Sequence, residues 1–128
     1  MTMQYRSILL IDDDEDDQEL FQLALGDVAR DVQCIVLTSA KEALHHLETG
    51  LGTIDLIFLD LNMPIMTGQQ FLAELKERQL LDEIPVIVLS TSSDATIVKQ
   101  ARSLGARKFI TKPSNFQELK DILHNILA

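Results

Sequence analysis

Asp60 stands directly after four large apolar residues, Leu56-Ile57-Phe58-Leu59. An acid in that place sits where a buried strand emerges, so its carboxylate is held on a rigid element and still meets solvent and ligands. Asp12 and Asp13 follow a second such run, Ile8-Leu9-Leu10-Ile11. If the two strands are neighbours, three carboxylates converge. Two carboxylates about 4 Å apart repel by roughly 4 kcal/mol at an effective dielectric of 20, so three must either raise a pKa or recruit a cation. Oxygen ligands with no paired His or Cys select a hard divalent ion, and Mg²⁺ is the expected choice because it keeps several waters and accepts a phosphoryl oxygen. Ser90-Thr91 and Thr111-Lys112 close two further strand-like runs and add a hydroxyl donor and a fixed positive charge. A carboxylate nucleophile flanked by a metal, a lysine and a hydroxyl has the parts needed to accept a phosphoryl group.

Those residues need a scaffold that brings strand ends together, and the apolar pattern supplies one. Ile8 to Ile11, Ile54 to Leu59 and Val86 to Leu89, the last opened by Pro85, read as strands buried on both faces. Val32 to Leu37 and the shorter Arg107 to Thr111 complete a set of five. Helical spacing appears between them. Leu20, Phe21, Leu23, Ala24 and Leu25 mark a helix from Asp16 to about Val28, and Ala40, Ala43, Leu44 and Leu47 mark one capped by Thr38-Ser39 and closed by Gly50. Thr67 caps a third with Phe71, Leu72 and Leu75 inside and Leu80 at its margin, and Ile97, Val98, Ala101 and Leu104 lead to a stop at Gly105. Pro113-Ser114-Asn115 turns the chain into a last helix carrying Phe116, Leu119, Ile122, Leu123 and Ile126.

Strict alternation of strand and helix implies an α/β fold, an open parallel sheet with helices on both faces joined by right-handed crossovers. Ligands on such sheets bind beyond the carboxyl ends of the strands. The 128 residues fit one domain, and no linker, repeat or low-complexity stretch marks an attached output module. Twenty acids against 11 bases, a net charge of −9, exclude the electrostatic footprint of a nucleic-acid or anionic-membrane binder. No stretch has the length of a signal peptide's apolar core or of a membrane span, and the single Cys34 suits a reducing compartment, so a cytoplasmic protein is expected. The acidic run Asp12 to Asp17 also argues against a nucleotide or flavin phosphate site, which needs backbone donors there. Within that run, Asp16 and Asp17 read as helix capping and dipole-complementing acids.

The set Asp12-Asp13, Asp60 with Asn62, Met63, Pro64 and Gly68, then Ser90, then Lys112-Pro113 closely resembles the receiver domain of two-component response regulators, of the stand-alone, chemotaxis-regulator-like type. The resemblance covers essentially the whole chain and implies a flavodoxin-like doubly wound sheet of order 2-1-3-4-5 with five helices, residues 1–128 forming a single receiver domain. It implies that Asp60 is the phosphoacceptor, that Asp13 holds Mg²⁺ directly and Asp12 mainly through water, and that Asn62 contributes its backbone carbonyl. Ser90 is then the switch hydroxyl, Lys112 the phosphoryl partner, Phe109 the switch aromatic, and Pro113 matches a proline that is often cis. The implied partners are a sensor histidine kinase or histidine phosphotransfer protein upstream and, downstream, a target protein, a homodimer or a relay.

A rival reading is a small phosphatase with an aspartyl-phosphate intermediate. Such enzymes place a general acid/base two residues after the nucleophile, and Asn62 cannot shuttle protons. Other residues carry plain readings: His45 and His46 are adjacent on a helix and point about 100° apart, which is no metal pair. Phe71, Leu75, Phe116 and Leu119 are expected in the core, and any exposed member of Ile97, Val98 and Phe109 would be a docking residue.

Overall fold

A computed structural model describes residues 5–50, 53–92 and 94–127. Five parallel strands, β1 (Ser7–Ile11), β2 (Gln33–Leu37), β3 (Leu56–Leu59), β4 (Val86–Ser90) and β5 (Lys108–Thr111), form one sheet in the order β2-β1-β3-β4-β5. The helices are α1 (Glu15–Val28), α2 (Ala40–Thr49), α3 (Gly68–Glu77), α4 (Ala95–Ser103) and α5 (Phe116–Leu127). The expected order and parallel sense are thus those of the protein.

The sheet separates two cores because successive strand residues point to opposite faces. Leu9, Ile11, Ile57, Leu59, Val86 and Val88 face a core completed by α2, α3 and α4. Ile8, Leu10, Leu56, Phe58, Ile87 and Leu89 face a core completed by α1 and α5. Phe21 of α1 meets Phe58 of β3 edge-on at 5.0 Å between ring centroids. With both faces covered, β1, β3 and β4 carry continuous apolar runs, and the strand order places their carboxyl ends side by side in the middle of the sheet.

Local chemistry sets where helices stop. Gly105, at φ +108°, takes the left-handed position after α4, with its own N–H and that of Ala106 closing onto Arg102 and Ala101 carbonyls. Gln79 does the same after α3 at φ +62°, its N–H bonding to Lys76 and that of Leu80 to Leu75. Leu80 therefore lies beyond the helix and packs on the core from the following turn. Gly50, at φ +64°, closes α2 as expected.

Three apolar residues depart from the expected core. Leu20 and Leu23 are 46% and 55% exposed, because α1 turns Phe21, Ala24 and Leu25 to the sheet and each step along a helix rotates about 100° away from that face. Phe116, 36% exposed, opens α5 one turn before the first buried position, Leu119, and its ring lies 5.3 Å from Lys120 Nζ. Ile97, Val98 and Phe109 are half-buried rather than exposed.

Candidate functional site

The ends of β1 and β3 lie side by side, Ile11 pairing with Leu59, and the next residue of each strand is an acid. Asp12 and Asp60 retain strand-like backbone bonds, Asp12 N–H to Leu37 O and Asp60 N–H to Ile11 O. Both are buried, at 3% and 6% exposure, whereas Asp13 is exposed. Carboxylate oxygens of Asp12, Asp13 and Asp60 all lie within 4.8 Å of one another, so the three acids singled out in the sequence do converge. An all-oxygen set of this kind, half in solvent and carrying excess negative charge, fits a hard divalent cation.

Lys112 supplies the counter-charge. Its backbone N–H bonds to Ser90 O, which continues the β4–β5 ladder by one residue and carries the side chain over the strand ends. Its ammonium lies 2.6 Å from Asp17 Oδ2, 3.0 Å from Asp12 Oδ2 and 3.7 Å from Asp60 Oδ2. The Lys112–Pro113 peptide is trans, as are the other described peptide bonds, so the expected cis proline is corrected; the trans form of such a bond is favoured by about 0.5–1 kcal/mol.

Burial pushes the Asp60 carboxyl up to about 6; Lys112 pulls it down, and the charges of Asp12 and Asp13 add to the rise. Asp12 is raised too, again by burial, against the opposing pull of the Asp14 N–H and Lys112. Burial works against the Lys112 charge, but the hydrogen bond that the ammonium donates to Asp17 and the charges of Asp12 and Asp60 outweigh it, so its pKa is raised and it stays an ammonium.

The loop after β3 is shaped for the acid it carries. Asn62 N–H reaches Asp60 Oδ1 at 3.4 Å, and the Asn62 side-chain amide donates to Ser92 Oγ at 3.2 Å, linking this loop to the end of β4. Gly68 comes so close that a Cβ there would lie 2.6 Å from Leu61 Cα and 2.7 Å from Asp60 O. Thr67 and Gln70 form a reciprocal capping box that anchors the loop's far end. Ser90 is fully buried at the end of β4, its Oγ accepting from Ser92 N–H at 3.3 Å. Phe109 pairs with Val88, two residues before Ser90 on β4, and packs on the same core as Ile97 of α4.

Asp17 is the site residue that sequence reasoning missed. The helix cap is Asp14, whose Oδ1 accepts from Asp17 N–H, and this leaves the Asp17 carboxylate free to bond Lys112. One signal was available: Asp17 lies in the first turn of α1, which directly follows the exit of β1. Asp17 and Lys112 also line a cavity of about 170 Å³ between α1 and α5, with Leu10, Leu20, Phe21 and Phe116. His45, His46 and His124 take no part; among the described residues the three acids are the one grouping placed to hold a metal.

A central parallel sheet with acids at the β1 and β3 ends and a lysine beyond β5 defines a class. Residues 8–124 match the response regulator receiver domain, and the chain belongs to that family of two-component signalling domains. It is 32% identical over 124 residues to the response regulator Rcp1 of Synechocystis, covering 93% of this chain and 84% of that protein. It is also 33% identical to the two-component response regulator ORR1 of Oryza sativa subsp. japonica, covering 88% of this chain but 52% of that protein, so it spans about half of that relative's length. Among solved structures it superposes on the phosphorylated cyanobacterial phytochrome response regulator RcpA with a TM-score of 0.86 at 32% identity, over 95% of this chain and 91% of that one. The Mn²⁺-bound form of Rcp1 gives 0.84 at 32% identity, over 94% and 91%. No described helix is long and apolar enough to cross a membrane.

Proposed function

We propose that this receiver domain takes a phosphoryl group on Asp60 from the phosphohistidine of a sensor histidine kinase or histidine phosphotransfer protein, and signals in the cytoplasm through altered protein binding. The observation that carries this reading is the convergence of Asp12, Asp13 and Asp60 with the Lys112 ammonium 3.7 Å from Asp60. Two similar structures support it, one of a phosphorylated regulator and the other of a Mn²⁺-bound one.

An oxygen of Asp60 attacks the donor phosphorus, the phosphorus–nitrogen bond breaks, and the imidazole leaves with that electron pair. Held on a strand end with its backbone bonded to β1, Asp60 presents its carboxylate in one orientation. Asp13 and Asp60 would hold Mg²⁺ directly, with the Asn62 carbonyl, and Asp12, already engaged by Lys112 and the Asp14 N–H, would act through water. When bound, Mg²⁺ supplies positive charge against the phosphoryl oxygens. Lys112 shifts toward the new oxygens and makes a charge-assisted hydrogen bond. Asn62, two residues after Asp60, cannot act as a general acid or base, which favours a stored phosphoryl group over a phosphatase cycle.

The phosphoryl group brings roughly 1.5 to 2 negative charges if it behaves like other phosphorylated side chains. Ser90 Oγ, now bonded by Ser92 N–H, is drawn to it, and the movement passes through β4 to Phe109 and its shared packing with Ile97. Shifting two states from 1:99 to 99:1 takes about 5.5 kcal/mol of differential interaction, within reach of a few charge-assisted bonds and a metal contact. The face of α4, β5 and α5 is then the output, read by a target protein or a second copy, or the phosphoryl group passes along a relay. The reading is tested by incubation with Mg²⁺ and acetyl phosphate followed by intact mass: wild type gains one phosphoryl group and Asp60→Asn gains none, and equal gain in both overturns it.

A further inference from the structure

We propose that Asp17 is a positioning residue for phosphoryl capture: it holds the Lys112 ammonium away from Asp60 in the resting protein, and the phosphoryl group must win the lysine from it. The inference rests on the reading of Asp60 as phosphoacceptor and adds a competitor that the acid trio does not contain. Three carboxylates face one ammonium, and the distances rank them as Asp17 at 2.6 Å, Asp12 at 3.0 Å and Asp60 at 3.7 Å. Lys112 is thus drawn toward α1, and its contact with Asp60 is too long for a hydrogen bond. Asp17 lies outside the grouping of Asp12, Asp13 and Asp60, so a cation that gathers those three leaves the Asp17–Lys112 pair in place. Lys112 has three N–H donors on a flexible stem, while Asp17 sits on the first turn of a helix with its N–H tied to Asp14. The lysine is the partner that moves. Because the Asp17 side chain is 38% exposed, the pair is a weak latch, released once a more highly charged acceptor forms on Asp60.

The test is a ¹⁹F NMR titration of the Mg²⁺-loaded protein with beryllofluoride, which mimics the phosphoryl group, alongside rates of mass gain from acetyl phosphate. Among the described residues the Asp17 side chain bonds only Lys112, and the cap on α1 uses the Asp14 side chain and the Asp17 backbone N–H, so Asp17→Asn keeps the helix start. Removing the competing charge is expected to tighten beryllofluoride about threefold to tenfold, the worth of one partly exposed charge-assisted bond. Asp17→Glu, which retains the charge, stays within about twofold of wild type, and in a Lys112→Ala background Asp17→Asn has an effect below about twofold on affinity and rate. Unchanged or weaker binding by Asp17→Asn, or the same gain without Lys112, overturns the inference. If wild type takes up neither the mimic nor a phosphoryl group, the reading of Asp60 itself falls, an outcome distinct from an Asp17→Asn protein that binds like wild type.

Discussion

Lys112 Nζ stands 3.7 Å from Asp60 Oδ2, close enough to lower the carboxyl's pKa and too far to cancel the cost of burying it beside Asp12 and Asp13. The folded protein therefore binds a proton on Asp60 up to about pH 6, whereas the unfolded chain releases it near 3.8. Where the folded state holds more protons, stability falls as pH rises. The contribution is fully present below about pH 4 and lost above about pH 6. In EDTA, Asp60→Asn is expected to gain on wild type by about 2 kcal/mol between pH 4 and pH 7, and saturating Mg²⁺ to narrow the gap. Urea unfolding at several pH values measures it; a difference that does not change with pH contradicts the electrostatic account.

Ser90→Ala separates chemistry from response. Among the described residues Ser90 Oγ accepts one hydrogen bond, from Ser92 N–H, and none links it to Lys112 or the acids. Loss of that bond costs about 1 kcal/mol and leaves the Asp60 mass gain intact. Hydrogen exchange across α4 and β5 should then change on adding beryllofluoride to wild type and change much less in Ser90→Ala. An equal change in both proteins would remove Ser90 from the switch.

Gly68 is required by contact. A methyl group there would press on Leu61 Cα and on the carbonyl oxygen of Asp60 itself. Gly68→Ala is expected to destabilise the protein by about 1 to 3 kcal/mol, as other over-packed substitutions do. It should also slow acetyl phosphate labelling roughly tenfold by displacing the acceptor. Normal labelling by a destabilised variant would show that the loop moves without Asp60.

Ile65 carries the opposite burden, since it adopts φ +70° while 86% exposed. A β-branched residue in that region is strained by on the order of 1 kcal/mol, and there is little packing to lose. Ile65→Asn should therefore raise the urea midpoint by the equivalent of about 1 kcal/mol with unchanged labelling. A lower midpoint would mean that the side chain is held by contacts that its exposure conceals.

The sheet was legible because β1, β3 and β4 are buried on both faces, so runs such as Leu56 to Leu59 are continuously apolar and end sharply at an acid. The acids and Lys112 could be placed for the same reason: strand ends are fixed points, and the strand order brings them together. Leu20, Leu23 and Phe116 were not legible, since helical spacing marks apolar residues without saying how wide a stripe the sheet covers. Asp17 escaped notice because its role depends on where β5 delivers a side chain 95 residues later; within its own segment it is one acid among six from Asp12 to Asp17.

The central claim is that the phosphoryl group resides on Asp60 and on no other carboxylate of the cluster. An aspartyl phosphate is an acyl phosphate, so borohydride reduces the labelled side chain to that of homoserine and leaves unmodified carboxylates alone. After labelling with acetyl phosphate and Mg²⁺, reduction and peptide mapping should find homoserine at position 60 alone. Homoserine at position 12, 13 or 17, or none in a protein that had gained the phosphoryl mass, would contradict the account.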